Sequence, residues 1–240
     1  MPDSLLAFDT ATEHMSIALA VRGEVFVHEA AGGAQASATL IPAILALLAE
    51  GGVTLRELDA IAFGRGPGAF TGLRTACSVA QGLALGANKL VLPIDTLLAV
   101  AEDARGGDRR AQRVWVVMDA RMNEIYAAQY AFAEGAWTVL DAPMLTTPGA
   151  LGEHWQMQAP DLIAGSALAA FGDRLATHGA RLAPAALPRA GAMLPLARAL
   201  RAAGGAVDAA FALPLYVRDK VAQTTVERDA ARAAKLESAR

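Results

Sequence analysis

Cysteine is almost missing from this 240-residue chain. Only Cys77 is present, so no intramolecular disulfide and no cysteine metal cage can form. Histidine is scarce too. His14, His28, His154 and His178 include no pair at helical metal-ligand spacing, and none lies in an acid-rich cluster. A basic excess is lacking: 21 Lys and Arg against 24 Asp and Glu leave a net charge of −3. That balance argues against a protein that grips nucleic acid by itself. The longest apolar run, Leu40–Ala49, falls far short of the ~20 residues of a membrane span. The opening Met-Pro-Asp-Ser-Leu-Leu has neither the basic nor the long apolar region of a signal peptide. A cytoplasmic protein with no membrane contact is expected. There is also no Gly-x-Ser-x-Gly elbow and no Walker lysine. What is present is core material, with 54% hydrophobic and 19% charged residues.

Glycine is concentrated where it stands out most, in Gly64-Arg65-Gly66-Pro67-Gly68-Ala69-Phe70-Thr71-Gly72-Leu73-Arg74. A buried-type strand, Leu58–Phe63, enters this stretch and a small-residue helix pattern leaves it. Pro67-Gly68 fits a tight turn with positive φ at Gly68, and Thr71 is a candidate N-cap. A strand–glycine loop–helix unit can aim backbone N–H groups at an anion. Equally, Gly66, Gly68 and Gly72 can serve only to let two backbones approach closely.

The rest of the chain is α/β in pattern. Leu5–Asp9 is a short strand ending in an acid, followed by Thr10 and by strands Met15–Val21 and Val25–Glu29 around the Arg22-Gly23-Glu24 turn. Leu40–Glu50 is a helix with Thr39 as cap and Pro42 in its first turn. It has no polar face, so a second subunit is expected to cover part of it. Leu73–Gly86 is a helix with Cys77 on its apolar stripe and Arg74, Ser78 and Gln81 on the other side. Leu90–Ile94 is a strand, and Asp95 opens helix Thr96–Ala104. The polar break Arg105–Arg110 sets the expected boundary between residues 1–104 and 105–218. Beyond it, strand Arg113–Met118 ends in Asp119 and leads to strands Ile125–Ala131 and Trp137–Leu140, repeating the opening order. Helices are expected over Pro148–Gln158, Ser166–His178 and Met193–Ala203, with a short strand at Leu162–Ala164. Residues 219–240 read as a polar tail.

Several blocks together resemble one family. Leu6-Ala7-Phe8-Asp9-Thr10-Ala11-Thr12-Glu13, the Gly64–Arg74 block, Gln81-Gly82-Leu83-Ala84, Met118–Tyr126 and Pro214-Leu215-Tyr216-Val217-Arg218 are similar to the bacterial TsaB (YeaZ) proteins. The matches run in order from position 5 to 218. The resemblance implies an actin-like (ASKHA) fold of two ribonuclease H-like halves, with mixed sheets flanked by helices. It also implies a non-catalytic scaffold that pairs with TsaD in threonylcarbamoylation of the adenosine beside the anticodon of ANN-reading tRNAs. TsaE joins in the larger complex, tRNA is contacted indirectly, and the protein alone forms a homodimer. The expected interface is a four-helix one using Leu40, Ala43, Ile44, Leu47, Arg74, Ser78 and Gln81. No metal and no resident cofactor are expected, although a nucleotide at the partner interface fits the same picture. Many family members carry a histidine just before the Leu-x-Pro segment. Here that stretch reads Ala34-Gln35-Ala36-Ser37-Ala38-Thr39, so any role of that histidine is absent or differently met.

The alternative is a stand-alone actin-like nucleotide hydrolase or kinase. It would use Asp9, Thr10, Gly66, Gly68, Thr71, Gly72 and Asp119 around a metal–nucleotide. A peptidase is disfavoured, since no nucleophile–base pair is recognisable. In the scaffold reading the glycine loop is structural, and Arg65 and Arg74 are the residues most suited to a direct role.

Overall fold

The computed structural model describes residues 3–218, apart from 109 and 111. The expected polar tail from Asp219 onward lies outside the described residues. The first sheet is built from β1 (Leu5–Asp9), β2 (His14–Val21), β3 (Glu24–Ala31), β4 (Ala60–Gly66) and β5 (Leu90–Asp95). Its order is β3-β2-β1-β4-β5, with β1, β2 and β3 antiparallel and β4 and β5 parallel to β1. The second sheet holds β6 (Gln112–Asp119), β7 (Ile125–Ala133), β8 (Ala136–Thr146), β9 (Leu162–Ala164) and β10 (Arg181–Ala183). Its order, β8-β7-β6-β9-β10, is the same pattern of antiparallel and parallel neighbours. This is the ribonuclease H-like order, and its duplication makes the fold actin-like. Even the hairpin turns repeat: Arg22-Gly23 and Glu134-Gly135 each place two positive-φ residues between strands. Such two-residue turns match the twist of the flanking strands, and a glycine in second place makes them accessible.

Period-two alternation sends successive residues to opposite faces of the first sheet. Leu6, Phe8, Ile17, Leu19, Ile61 and Phe63 pack under α1 (Ala36–Glu50) and α2 (Phe70–Ala87). Leu5, Ala7, Ala18, Ala20, Ala60 and Ala62 form the other face. That face is covered by Ala99 of α3 (Thr96–Arg105) and by a late segment of chain. In the second sheet, Val114, Val116 and Tyr130 meet Leu97, Val100 and Ala101 of the same α3. The outer face carries Trp115, Val117 and Ile163 against α4 (Pro148–Met157) and α5 (Ala167–Phe171). Thus α3 lies between the sheets, and its buried Glu102 accepts the Trp137 indole N–H at 2.8 Å.

The end of the chain returns to the first sheet. Helix α6 (Ala190–Ala202) packs Met193, Leu194 and Ala197 on the alanine-rich face. Val207 then bridges Val91, and Ala212 accepts hydrogen bonds from Cys77 and Gln81 of α2. Nothing in the local pattern of residues 190–216 announced this return.

Several boundaries differ from the sequence expectation. Helix α1 starts at Ala36, so Pro42 lies inside it and Thr39 is not its cap. Pro42 is exposed, where the carbonyl it leaves unbonded can meet water. Helix α2 starts at Phe70 with Ala69 as N-cap, so Thr71 is already helical. The helix expected over 166–178 stops at Phe171, because Gly172 takes a positive φ of 52°. The positive φ of the glycine loop falls on Gly66, at 112°, rather than on Gly68.

The expected interface on α1 also changes. Leu40, Ile44 and Leu47 are buried in the chain's own core, and Ala43 is half-buried. Leu40, Ile44 and Leu47 therefore offer almost no surface to a partner, while Ala43 keeps part of its surface open. The large apolar residues left on the outside are Ile41, at 42% exposure, and Leu45, at 51%.

Candidate functional site

Equivalent turns follow β1 and β6, and each starts with an acid. In both, the carboxylate accepts the N–H two residues on: Ala11 to Asp9 Oδ1 at 2.6 Å and Arg121 to Asp119 Oδ1 at 2.8 Å. An aspartate at the head of a turn makes this contact locally. The surroundings then part ways. Asp9 is buried, and its second oxygen accepts the Thr96 hydroxyl at 2.8 Å. Thr96 opens α3 and in turn accepts the Gly66 N–H at 3.1 Å. Burial pushes the Asp9 carboxyl up from 3.8 to about 6, against the opposing hydrogen bonds from Ala11 and Thr96.

The glycine loop is occupied by the chain itself. A side chain at Gly64 would run into the Asp9 carboxylate, and one at Gly72 into the Thr10 carbonyl. Ala69 donates to the Ala11 carbonyl at 2.8 Å, and the Thr10 hydroxyl donates to the Gly72 carbonyl at 2.7 Å. Gly68 sits against Ala11 as well. On the other side, Leu215 donates to the Arg65 carbonyl at 2.7 Å, and its own carbonyl crowds Gly66. Here the glycines admit the Asp9 carboxylate and backbone from residues 10, 11 and 215, while Pro67, Gly68 and Ala69 border an open cleft. Arg65 is spent on an ion pair with Asp95 at 2.5 Å. Thr71 is exposed in the first turn of α2, where its carbonyl accepts the Thr75 hydroxyl.

Asp119 lies elsewhere. It lines a cleft of about 460 Å³ together with Ala11, Phe70, Met118, Met122, Ser166 and Tyr216. Its N–H is held by the Ser166 hydroxyl at 3.2 Å. Arg121 pairs with Asp119 at 3.2 Å and with Glu13 at 3.1 Å, joining the two halves across the cleft. The turn carrying it has three consecutive left-handed residues, Arg121, Met122 and Asn123. Asp9 does not line this cleft, so the structure does not bring Asp9 and Asp119 together at one open site. Among the described residues, no three His, Cys, Asp or Glu side chains converge as a metal cage. No helix among them is long and apolar enough to cross a membrane.

On α2, Arg74 and Ser78 are exposed, while Gln81 is half-buried against Ala212. The Arg74 guanidinium lies 3.7 Å over the Phe70 ring, and its Nε donates to the Tyr216 hydroxyl at 3.2 Å. No carboxylate among the described residues pairs with it. Leu85, further along the same helix, is 79% exposed. Thr96, Ser166, Phe70 and Tyr216 were not singled out from the sequence. Only Thr96, at the head of an apolar helix just after Asp95, carried a local signal.

A family model described as "TsaD: tRNA N6-adenosine threonylcarbamoyltransferase" matches residues 26–226. The solved structure "YeaZ from Pseudomonas aeruginosa" superimposes with a TM-score of 0.81 at 36% identity, covering 89% of this chain and 99% of that one. The chain belongs to this family, in its TsaB/YeaZ branch. The tRNA threonylcarbamoyladenosine biosynthesis protein TsaB of Haemophilus influenzae is 46% identical over 127 residues, 52% of this chain and 53% of that protein. The TsaB of Escherichia coli is 37% identical over 155 residues, 63% of this chain and 66% of that protein. The chain therefore spans about half to two thirds of the length of these curated TsaB relatives.

Proposed function

We propose that this chain is a non-catalytic scaffold in tRNA threonylcarbamoyladenosine biosynthesis, pairing with TsaD through the outer faces of α1 and α2. The observation that carries this reading is the exposed apolar surface of Ile41, Leu45 and Leu85 on adjacent helices. Their inner faces already fill the core, so the outer residues are not needed for folding. The names of the TsaB relatives support the pathway. The match to a TsaD model supports a partner of related architecture, since like-folded chains can dock through equivalent helices. The non-catalytic role is supported by the packing of Asp9 and the glycine loop, which are spent on internal contacts. In this reading TsaE and tRNA are met through the TsaD complex, and two copies of this chain use the same face when TsaD is absent.

The test is co-purification with TsaD. Ile41→Asp and Leu45→Asp place a charge on the outer face without touching the core. Each is expected to weaken the complex by at least about tenfold while the monomer's melting temperature stays unchanged. Normal binding by both variants would place the interface elsewhere. Calorimetry of the isolated chain with Mg-ATP separates the scaffold from an actin-like hydrolase: micromolar binding with turnover would favour the hydrolase.

A further inference from the structure

The cleft between the halves has a composition that none of the scaffold contacts uses. Its volume, about 460 Å³, is that of a small-molecule site. Much of its wall is apolar and polarisable: Phe70, Leu73, Met118, Met122, Leu187 and Val217. Phe70 and Tyr216 present neighbouring rings with centroids 5.5 Å apart. Aromatic rings and thioethers of this kind favour a flat, unsaturated guest.

The polar groups of the cleft narrow the guest further. Its charged lining residues are two acids, Glu13 and Asp119, and two arginines, Arg121 and Arg218. All four are already engaged, Arg121 with both acids and Arg218 with Glu124 at 2.7 Å. The two lining arginines are thus already paired, while Arg74 stands at the edge of the cleft against Phe70 and Tyr216. Among lining hydroxyls with a proton still to give, that of Tyr216 belongs to a residue 46% exposed and already accepts from Arg74, which leaves two in the less exposed wall. Tyr126 lines the cleft at only 8% exposure, and its hydroxyl has no partner among the described residues. The Ser166 hydroxyl accepts the Asp119 N–H, but its own proton is given to no described acceptor. Both hydroxyls thus offer a hydrogen inside a largely apolar, charge-balanced space.

We propose that this cleft binds an uncharged, planar heteroaromatic compound whose acceptor atoms take hydrogen bonds from Tyr126 and Ser166. A polyphosphate is disfavoured because both lining arginines are already paired with acids. The cleft touches only the first turn of α2, at Phe70 and Leu73, and includes none of Ile41, Leu45 and Leu85, so probe binding can be tested apart from TsaD pairing.

Quinazolin-4-one, a neutral two-ring compound with carbonyl and ring-nitrogen acceptors, serves as the probe, followed by backbone amide NMR of the full chain. Titration into the low-millimolar range is expected to shift the Tyr126, Ser166 and Met122 signals. Tyr126→Phe removes only the hydroxyl and is expected to weaken binding by about 3- to 10-fold. Ala170→Trp adds bulk from the exposed rim of the cleft and is expected to abolish binding in a folded protein. Mg-ATP at the same concentration is expected not to displace the probe. Absence of shifts at those three residues would overturn the proposal. So would equal affinity in wild type and both variants, or displacement of the probe by Mg-ATP.

Discussion

The two acid turns are made by the same local rule and end in opposite environments. Asp9 and Asp119 each close onto the N–H two residues later, at the end of the first strand of equivalent sheets. Around Asp9 the long glycine loop folds inward, and α3 places Thr96 on the carboxylate. Around Asp119 the matching connection is short. Gly165 abuts the Val117 carbonyl, Ser166 holds the Asp119 N–H, and the carboxylate faces the cleft. A repeated topology therefore does not imply a repeated chemistry. One turn is a structural joint and the other lines an open cleft.

The comparison can be broken most decisively at Gly72. Gly72→Ala drives a methyl into the Thr10 carbonyl, which is backbone and cannot rotate away. A loss of about 3–5 kcal/mol is expected, seen as a large drop in the urea midpoint. A wild-type midpoint would mean that residues 9–11 do not fill the loop. Asp9→Asn probes the joint more gently. The folded carboxyl sits near 6 and its ordinary value is 3.8. The folded state therefore takes up the proton first as pH falls, and the stabilisation is full below about 3.8 and lost as pH rises through about 6. Relative to the Asn variant, wild type should gain about 2–3 kcal/mol between pH 7 and pH 4, as integrated from that shift. Parallel pH profiles of urea stability for the two proteins would contradict the buried, charged joint. Asp119→Asn keeps the acceptor for the Arg121 N–H and loses only an ion pair to an exposed arginine. Its effect should stay within about 0.5 kcal/mol at any pH. A cost as large as that at Gly72 would make the two turns alike.

Much of the fold was legible locally. The strands β1 and β6 with their terminal acids, the Arg22-Gly23 hairpin turn, the start of α3 after Asp95 and the Cys77 stripe of α2 all follow from period and turn chemistry. The candidate site was less so. Asp119 was recognised as an acid at the end of a strand, but Ser166 and Tyr126 carried no signal of their own. Ser166 reaches Asp119 from 47 residues away, and Tyr126 reads simply as a strand residue.

What the sequence by itself determined is the list of elements and their order, because helix and strand periodicity, glycine turns and aspartate turns act over a few residues. What only the tertiary structure decided is which face each element buries and what it buries it against. From Leu40 to Ala49 helix α1 is apolar on every side, so no pattern within that stretch could say that Leu40, Ile44 and Leu47 go inward while Ile41 and Leu45 stay out. The sheet beneath makes that choice. The glycine loop likewise reads as an open cradle until the turn at residues 9–11 is laid against it. Those contacts join residues more than 50 positions apart. Their partners are chosen by how the whole chain packs, which no local window contains.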